Sequence, residues 1–264
     1  MDKRRLGQTE IMISPVGLGT VKFGRNEGVK YPQGFEIPAM DDLANLLEQA
    51  KALGVNMLDT APAYGMSESR LGKLLQGQRK DWVIVGKVGE EFENGQSSHY
   101  FTPEHFKMSV DRSLKRLDTD RLDVLLVHSD GADMDILCDD ALIRCLHDFR
   151  DQGIVRAIGA STKTIEGGIR ALELMDVVMC AYNPTYRDEE AVLAYAHKHN
   201  KAALIKKALA SGHVSAFDAA DPVQTAMDFA FGHKGTSGVI VGTINAIHLK
   251  DNVRKAVKAI DSAT

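Results

Sequence analysis

Hydrophobic positions along the chain follow two patterns in alternation. Short runs, apolar on consecutive positions, recur at PVGLGT (15–20), NMLDTA (56–61), WVIVGKVG (82–89), LDVLLVHS (122–129), VRAIGAS (155–161), VVMCAYN (177–183), AALIKKA (202–208) and SGVIVGT (237–243). Strands read this way when both of their faces are covered, as in a parallel sheet. Between them lie longer stretches with helical spacing. In DDLANLLEQAKALG, Leu43, Leu46, Leu47, Ala50 and Leu53 share one face, and Gly54 ends the helix. Thr102 and Pro103 predict an N-cap and first-turn proline for a helix that buries Phe106, Val110, Leu114 and Leu117. Ser67 is expected to cap the helix before it. Further helices read as DDALIRCLHDFRDQG, TIEGGIRALEL, EEAVLAYAHKHN, PVQTAMDFAFGHKG and AIHLKDNVRKAVKAI.

Eight strand–helix units in about 250 residues predict a (β/α)8 TIM barrel, an α/β fold, as one domain over residues 1–264. The segment RRLGQTEIMISP is expected to form a short N-terminal hairpin across the barrel bottom, with Gly7 in its turn. A doubly wound open sheet is the alternative, but no G-x-G-x-x-G follows a predicted strand and opens a helix.

Composition changes this picture little. Hydrophobic residues at 44% and charged residues at 26% are ordinary for a soluble globular chain. A net charge of -4 without a basic block gives no footing for nucleic acid or an anionic membrane. No apolar run approaches the roughly 18–20 residues a membrane span needs, so a cytoplasmic location is expected. Cys138, Cys145 and Cys180 fit neither a zinc site nor a redox pair and are expected to serve as small apolar filler, with no metal site. Nothing in the pattern fixes an oligomeric state.

Catalytic groups of a TIM barrel sit where strands deliver them, at the C-terminal face. The second run ends in Asp59 with Tyr64 just beyond, the third carries Lys87, and the fourth ends in His128. The fifth ends in Ser161 and Thr162, the sixth in Asn183, the seventh in Lys206 and Lys207, and the eighth in Thr243. Alone, each such residue is more often a cap or loop ligand than a catalyst. An acid, a phenol, an ammonium and an imidazole on three adjacent strands suit polarisation and protonation of a carbonyl. A phenol has an ordinary pKa of about 10, and a lysine within about 4–6 Å is expected to lower it by roughly one to three units. Asp59 is expected to pair with Lys87 and hold it toward the phenol. His128 would hydrogen-bond a substrate oxygen.

These residues resemble the aldo-keto reductase superfamily. The likeness rests on GVNMLDTA (54–61), Tyr64-Gly65, Ser67-Glu68, Leu71-Gly72, Lys87 and His128, and extends from GLGTVKFG (17–24) through GAST (159–162) and YNP (182–184) to VGTINAIHLKDNV (241–253). The resemblance implies a barrel that moves hydride between a nicotinamide and a small-molecule carbonyl or alcohol, with Asp59, Tyr64, Lys87 and His128 as the catalytic tetrad and Tyr64 as general acid. It places cofactor contacts at Thr20, Ser161, Thr162, Met179, Lys206, Lys207, Leu209, Gly242, Thr243, Asn245, His248 and Asn252. Met179 stands in place of the family's usual glutamine, and Lys206 near the place of an aromatic ring that stacks on the nicotinamide. Gly242 and His248 stand where members strict for NADPH carry a Lys and an Arg. NADP(H) is favoured on the family pattern, and NAD(H) stays open. Two other readings remain: a cofactor-binding regulatory barrel with little turnover, and a Schiff-base aldolase using Lys87, Lys206 or Lys207.

Overall fold

The computed structural model describes residues 1–263. The chain begins with the strands β1 (Arg4–Arg5) and β2 (Met12–Ile13), which pair antiparallel as the expected hairpin, with Gly7 at φ 56° in its turn. Then follow β3 (Val16–Gly19), the one-turn helix α1 (Val21–Gly24), α2 (Met40–Ala52), β4 (Met57–Asp59), α3 (Ser67–Leu74) and β5 (Val83–Val88). A second hairpin, β6 (Glu90–Glu93) and β7 (Gln96–His99), precedes α4 (Pro103–Leu117) and β8 (Leu122–His128). The remainder is α5 (Asp133–Leu137), α6 (Asp140–Asp151), β9 (Val155–Ser161), α7 (Ile165–Leu174), β10 (Val177–Ala181), α8 (Glu190–Lys198), β11 (Ala202–Lys206), α9 (Pro222–Gly232), β12 (Thr236–Val241) and α10 (Ala246–Ala263).

Eight parallel strands close a barrel in the order β10-β11-β12-β3-β4-β5-β8-β9, and each matches one of the eight apolar runs. Strand periodicity sorts their side chains into two cores. Met57, Val83, Val85, Val124, Leu126, Ala157, Val177, Met179, Ala202 and Leu204 fill the barrel interior, joined from below by Leu6, Ile11 and Ile13 around the first hairpin. The intervening Leu58, Ile84, Leu125, Ile158, Val178 and Ala203 point outward and pack with Leu43, Phe106, Leu146 and Leu172 of the helix layer. Burying one such leucine contributes roughly 1.5–3 kcal/mol. Apolar residues on consecutive positions thus serve two cores, one inside the sheet and one outside it.

The α2 stripe is buried as predicted at Leu43, Leu46, Leu47 and Ala50, and Gly54 follows at φ 83°. Thr102 caps α4, accepting from the His105 amide at 3.2 Å. Ser67 does not cap α3. Its hydroxyl donates to Thr20 Oγ1 at 2.8 Å and sits 3.1 Å from Thr60 Oγ1, while Met66 holds the cap position without a side-chain bond. Cys145 and Cys180 are buried filler, but Cys138 is exposed. Among the described residues no helix is long and apolar enough to cross a membrane.

Candidate active site

The strand period that fills the interior also builds the site. Continuing the inward positions by one step leads from Met57 to Asp59, from Val85 to Lys87, from Leu126 to His128 and from Leu204 to Lys206. Register staggers them around the tilted sheet: Asp59 pairs with Val85 and Lys87 with Leu126, each one inward step before the next site residue, while His128 pairs directly with Ser161. The top interior layer is therefore ionisable where the layers below are apolar.

Tyr64 reaches this layer from the 3-10 turn Pro62–Tyr64. The next residue, Gly65, has φ 60° and ψ -119°, a conformation other residues avoid. A Cβ there would lie 2.2 Å from the Gly24 carbonyl oxygen, so the end of α1 and the Tyr64 turn approach only because both positions are glycine. Behind them Ser67 donates to Thr20, and Thr20 Oγ1 donates to the Asp59 carbonyl at 2.9 Å, tying α3 to the ends of β3 and β4.

The four expected catalytic side chains meet. Lys87 Nζ pairs with Asp59 Oδ1 and donates to the Thr60 carbonyl at 3.1 Å, with both side chains of the pair nearly sealed from solvent. The same ammonium lies 4.8 Å from the Tyr64 ring centroid. The Tyr64 and His128 rings meet edge-on, with centroids 6.2 Å apart.

The expected acidification of the phenol is not what the site produces. Burial, followed by the charges of Asp59 and Glu90, pushes Tyr64 well above the ordinary phenol value. Lys87 spends its charge on Asp59, and an ion pair viewed from the ring is close to neutral. His128 is pushed below the ordinary imidazole value, chiefly by burial and further by Lys87 and Lys206, with Glu90 pulling the other way. Glu90 was not singled out from sequence. Its Oε2 lies 2.8 Å from His128 Nδ1. The signal for its hairpin was present in Asn94-Gly95, both at positive φ (51° and 78°), the preferred pair for a two-residue hairpin turn.

A cleft of about 910 Å³ runs over this layer, within the size range of small-molecule and cofactor sites. Asp59, Tyr64, Lys87 and His128 line it, as do nine of the expected cofactor residues: Ser161, Met179, Lys206, Lys207, Leu209, Gly242, Thr243, His248 and Asn252. Three do not. Thr20 is fully buried in the hydroxyl chain behind Asp59, and Thr162 is fully buried with its Oγ1 unpartnered. Asn245 caps α10, its Oδ1 accepting from the Ile247 and His248 amides, so the helix end satisfies two of its own N–H groups.

Lys206 Nζ donates to Ser161 Oγ at 2.9 Å and to the Thr162 carbonyl at 2.7 Å, and burial pushes its ammonium down to about 8. Lys163 Nζ donates to the Asp130 carbonyl at 2.8 Å. With Lys207, these ammoniums line the cleft, and the bonds of Lys163 and Lys206 go to neutral oxygens, which leaves their charge available to an anion. Such a donor set suits the two phosphates of a dinucleotide. The cleft wall also carries the polar residues Lys22, Arg25, Glu90, Ser97, His99 and Ser129. The β6–β7 hairpin supplies Glu90, Ser97 and His99 of this wall. His99 lines the cleft, while Tyr100 stands off it, half exposed and tilted against the His105 ring.

Comparison with known proteins agrees with this geometry. A family model described as the Aldo/keto reductase family matches residues 15–224. The aldo-keto reductase YhdN of Bacillus subtilis is 29% identical over 219 residues, 80% of this chain and 63% of that protein. The L-galactose dehydrogenase of Arabidopsis thaliana is 32% identical over 165 residues, 60% of this chain and 48% of that one. These matches thus span about half to somewhat under two thirds of the curated relatives' length. The crystal structure of PA4992, a Pseudomonas aeruginosa protein assigned to the aldo-keto reductases, superposes with a TM-score of 0.89 at 50% identity, covering 98% of this chain and 95% of that chain. With a matching family model over most of its barrel, a close structural counterpart, and the acid, phenol, amine and imidazole gathered at the barrel mouth, the chain belongs to the aldo-keto reductase family.

Proposed function

We propose that the protein is an NAD(P)H-dependent reductase of aldehydes or ketones that also runs in the oxidative direction, with Tyr64 as the general acid. The observation that carries this reading is the Lys87 ammonium, paired to Asp59 and 4.8 Å from the Tyr64 ring centroid, at the floor of a cleft wide enough for cofactor and substrate. When bound, a reduced nicotinamide supplies hydride to the carbonyl carbon. Ser161, Met179 and Lys206 would hold its ring end, Lys163, Lys206 and Lys207 its phosphates, and Thr243, His248 and Asn252 its adenosine. The tetrad handles the proton. Burial keeps Tyr64 protonated throughout the neutral range, so the acid is loaded when the carbonyl arrives. As charge develops on the substrate oxygen, that oxygen becomes a stronger base than phenolate and takes the phenolic proton. Lys87 then faces the new phenolate.

NADP(H) is the cofactor proposed on the family pattern, with NAD(H) also accepted. The adenosine end of the cleft carries His248 and Gly242 at the positions where a fixed cation would grip a 2′-phosphate, and the Asp251 carboxylate beside them is engaged by Arg254 and Lys255. Discrimination between the two cofactors is therefore expected to be small.

Absorbance at the reduced-nicotinamide band, with NADPH and 4-nitrobenzaldehyde, tests the assignment. Tyr64→Phe is expected to lower kcat by about 10²–10⁴-fold, with NADPH affinity within about twofold of wild type. Wild-type turnover in that variant would remove Tyr64 from the role. Tight NADPH binding by the wild-type protein with a flat trace would favour the regulatory barrel instead.

A further inference from the structure

The β6–β7 hairpin sets a carboxylate against the imidazole of the tetrad. Glu90 Oε2 lies 2.8 Å from His128 Nδ1, and Glu90 Oε1 accepts from Ser97 Oγ at 2.7 Å. Arg25 Nη1 stands 3.9 Å from Oε1. Arg25 is itself fixed, donating to the carbonyls of Glu27, Ala63 and Gly28 and lying over the Phe92 ring at 3.4 Å. Both oxygens of Glu90 are thus held by neighbours on separate elements.

The Nδ1–H direction is out of line with Oε2, so the contact is an electrostatic pair and not an aligned hydrogen bond. The proton's location follows all the same. An unprotonated Nδ1 would set an electron-rich nitrogen 2.8 Å from an anionic oxygen, whereas a protonated one sets positive charge there even off the bond axis. A neutral imidazole carries one N–H, and with that proton on Nδ1 the remaining nitrogen, Nε2, is an acceptor.

A carbonyl oxygen has no hydrogen to offer an acceptor, while an alcohol hydroxyl has one. We propose that Glu90 is a positioning residue that commits the His128 proton to Nδ1, so that His128 donates to a carbonyl oxygen only as the cation and accepts from an alcohol when neutral. The proposal rests on the reductase reading above. Under it, His128 supports reduction below its titration midpoint and oxidation above it.

The groups that face His128 set that midpoint. Burial and the ammoniums of Lys87 on β5 and Lys206 on β11 oppose its protonation, the Tyr64 ring is neutral, and Glu90 is the counterion that favours it. Burial acts to raise the Glu90 carboxyl, but His128, Ser97 and His99 outweigh it and hold Glu90 at about 2. The carboxylate is therefore charged at every pH where His128 titrates.

Two-bond ¹H–¹⁵N spectra of histidine-labelled protein, with the His128 signals assigned by their loss in His128→Gln, read tautomer and midpoint without any turnover. In the wild type, neutral His128 is expected as the Nδ1–H form. Glu90→Gln is expected to lower the midpoint by about one to three pH units, and Glu90→Asp, which keeps the charge, to restore most of it. In parallel, kcat/KM for 4-nitrobenzaldehyde reduction should fall as pH rises through the wild-type midpoint, and that limb should move to lower pH in Glu90→Gln. An Nε2–H tautomer in the wild type, or an unchanged midpoint in Glu90→Gln, overturns the proposal. If the protein reduces no carbonyl, the reductase reading falls while the spectra still judge the Glu90–His128 pairing.

Discussion

Removing the Lys87 ammonium should cost stability as well as turnover, and the structure sets the size of the stability cost. Its side chain is 1% exposed and that of Asp59 is 6%, so Lys87→Met leaves a carboxylate sealed in the barrel mouth without its counterion. Removing one partner of a buried ion pair costs about 3–5 kcal/mol. The Thr60 carbonyl also loses a charged donor at 3.1 Å, an interaction of roughly 1.5–3 kcal/mol. These contributions overlap, and a loss of about 3–5 kcal/mol should appear as a fall in Tm of roughly 6–10 °C for a chain of this size. The Lys87→Met/Asp59→Asn double variant removes both charges and should recover at least half of the loss. Thermal unfolding followed by fluorescence of the single tryptophan, Trp82, buried at the start of β5, measures all three proteins. If Lys87→Met melts within about 2 °C of wild type, or the double variant melts no higher than the single one, the two groups are not coupled as the geometry states. A recovered but inactive double variant would separate the pair's structural part from its chemical one.

Two further outcomes follow from the site. Gly65→Ala places a side chain where φ is 60° and ψ is -119° and where its Cβ would meet the Gly24 oxygen at 2.2 Å. Backbone strain alone is about 1–3 kcal/mol, so Tm should fall by at least roughly 2–6 °C, and turnover should drop with it because Tyr64 is the preceding residue. His248→Arg adds a fixed cation to the adenosine end of the cleft and should raise the kcat/KM ratio for NADPH over NADH about tenfold, a difference of about 1.4 kcal/mol. An unchanged ratio would place the 2′-phosphate away from residue 248.

The barrel was legible because its strands carry two cores at once. Val83, Ile84 and Val85 are apolar in succession since the first and third fill the interior and the second meets the helix layer, a pattern an exposed strand does not show. The cluster of Asp59, Lys87 and His128 was legible for a related reason: an ionisable residue at the end of such a run breaks the pattern at the inward position just above the last packed layer. The β6–β7 hairpin was not read, because Glu90–Glu93 and Gln96–His99 are almost wholly polar and pair only with each other. With no apolar face to bury, they carried no periodicity, and Asn94-Gly95 alone marked the turn. Ser67 was misread for a different reason. A hydroxyl at a helix start satisfies capping chemistry in sequence, but the close approach of the β3 and β4 ends offered it Thr20 and Thr60 instead.

The largest departure from expectation concerns the phenol, and its cause bears on how the tetrad works. A lone ammonium at this distance favours phenolate in the resting protein, but the ammonium of Lys87 is not alone. Its charge is matched by Asp59, and burial, which disfavours any net charge on Tyr64, prevails. The resting site therefore holds its proton firmly instead of leaking it to solvent. In the proposed reaction the balance changes only when the substrate oxygen begins to carry negative charge. Proton transfer then moves that charge onto the phenol oxygen beside Lys87, and an attraction largely offset in the ground state acts on a charge that exists only along the reaction path. Interactions that strengthen between ground state and transition state are the ones that accelerate a reaction. On this reasoning Asp59 contributes to the rate by keeping Lys87 fixed toward the phenol, and a high resting Tyr64 pKa is compatible with efficient proton donation.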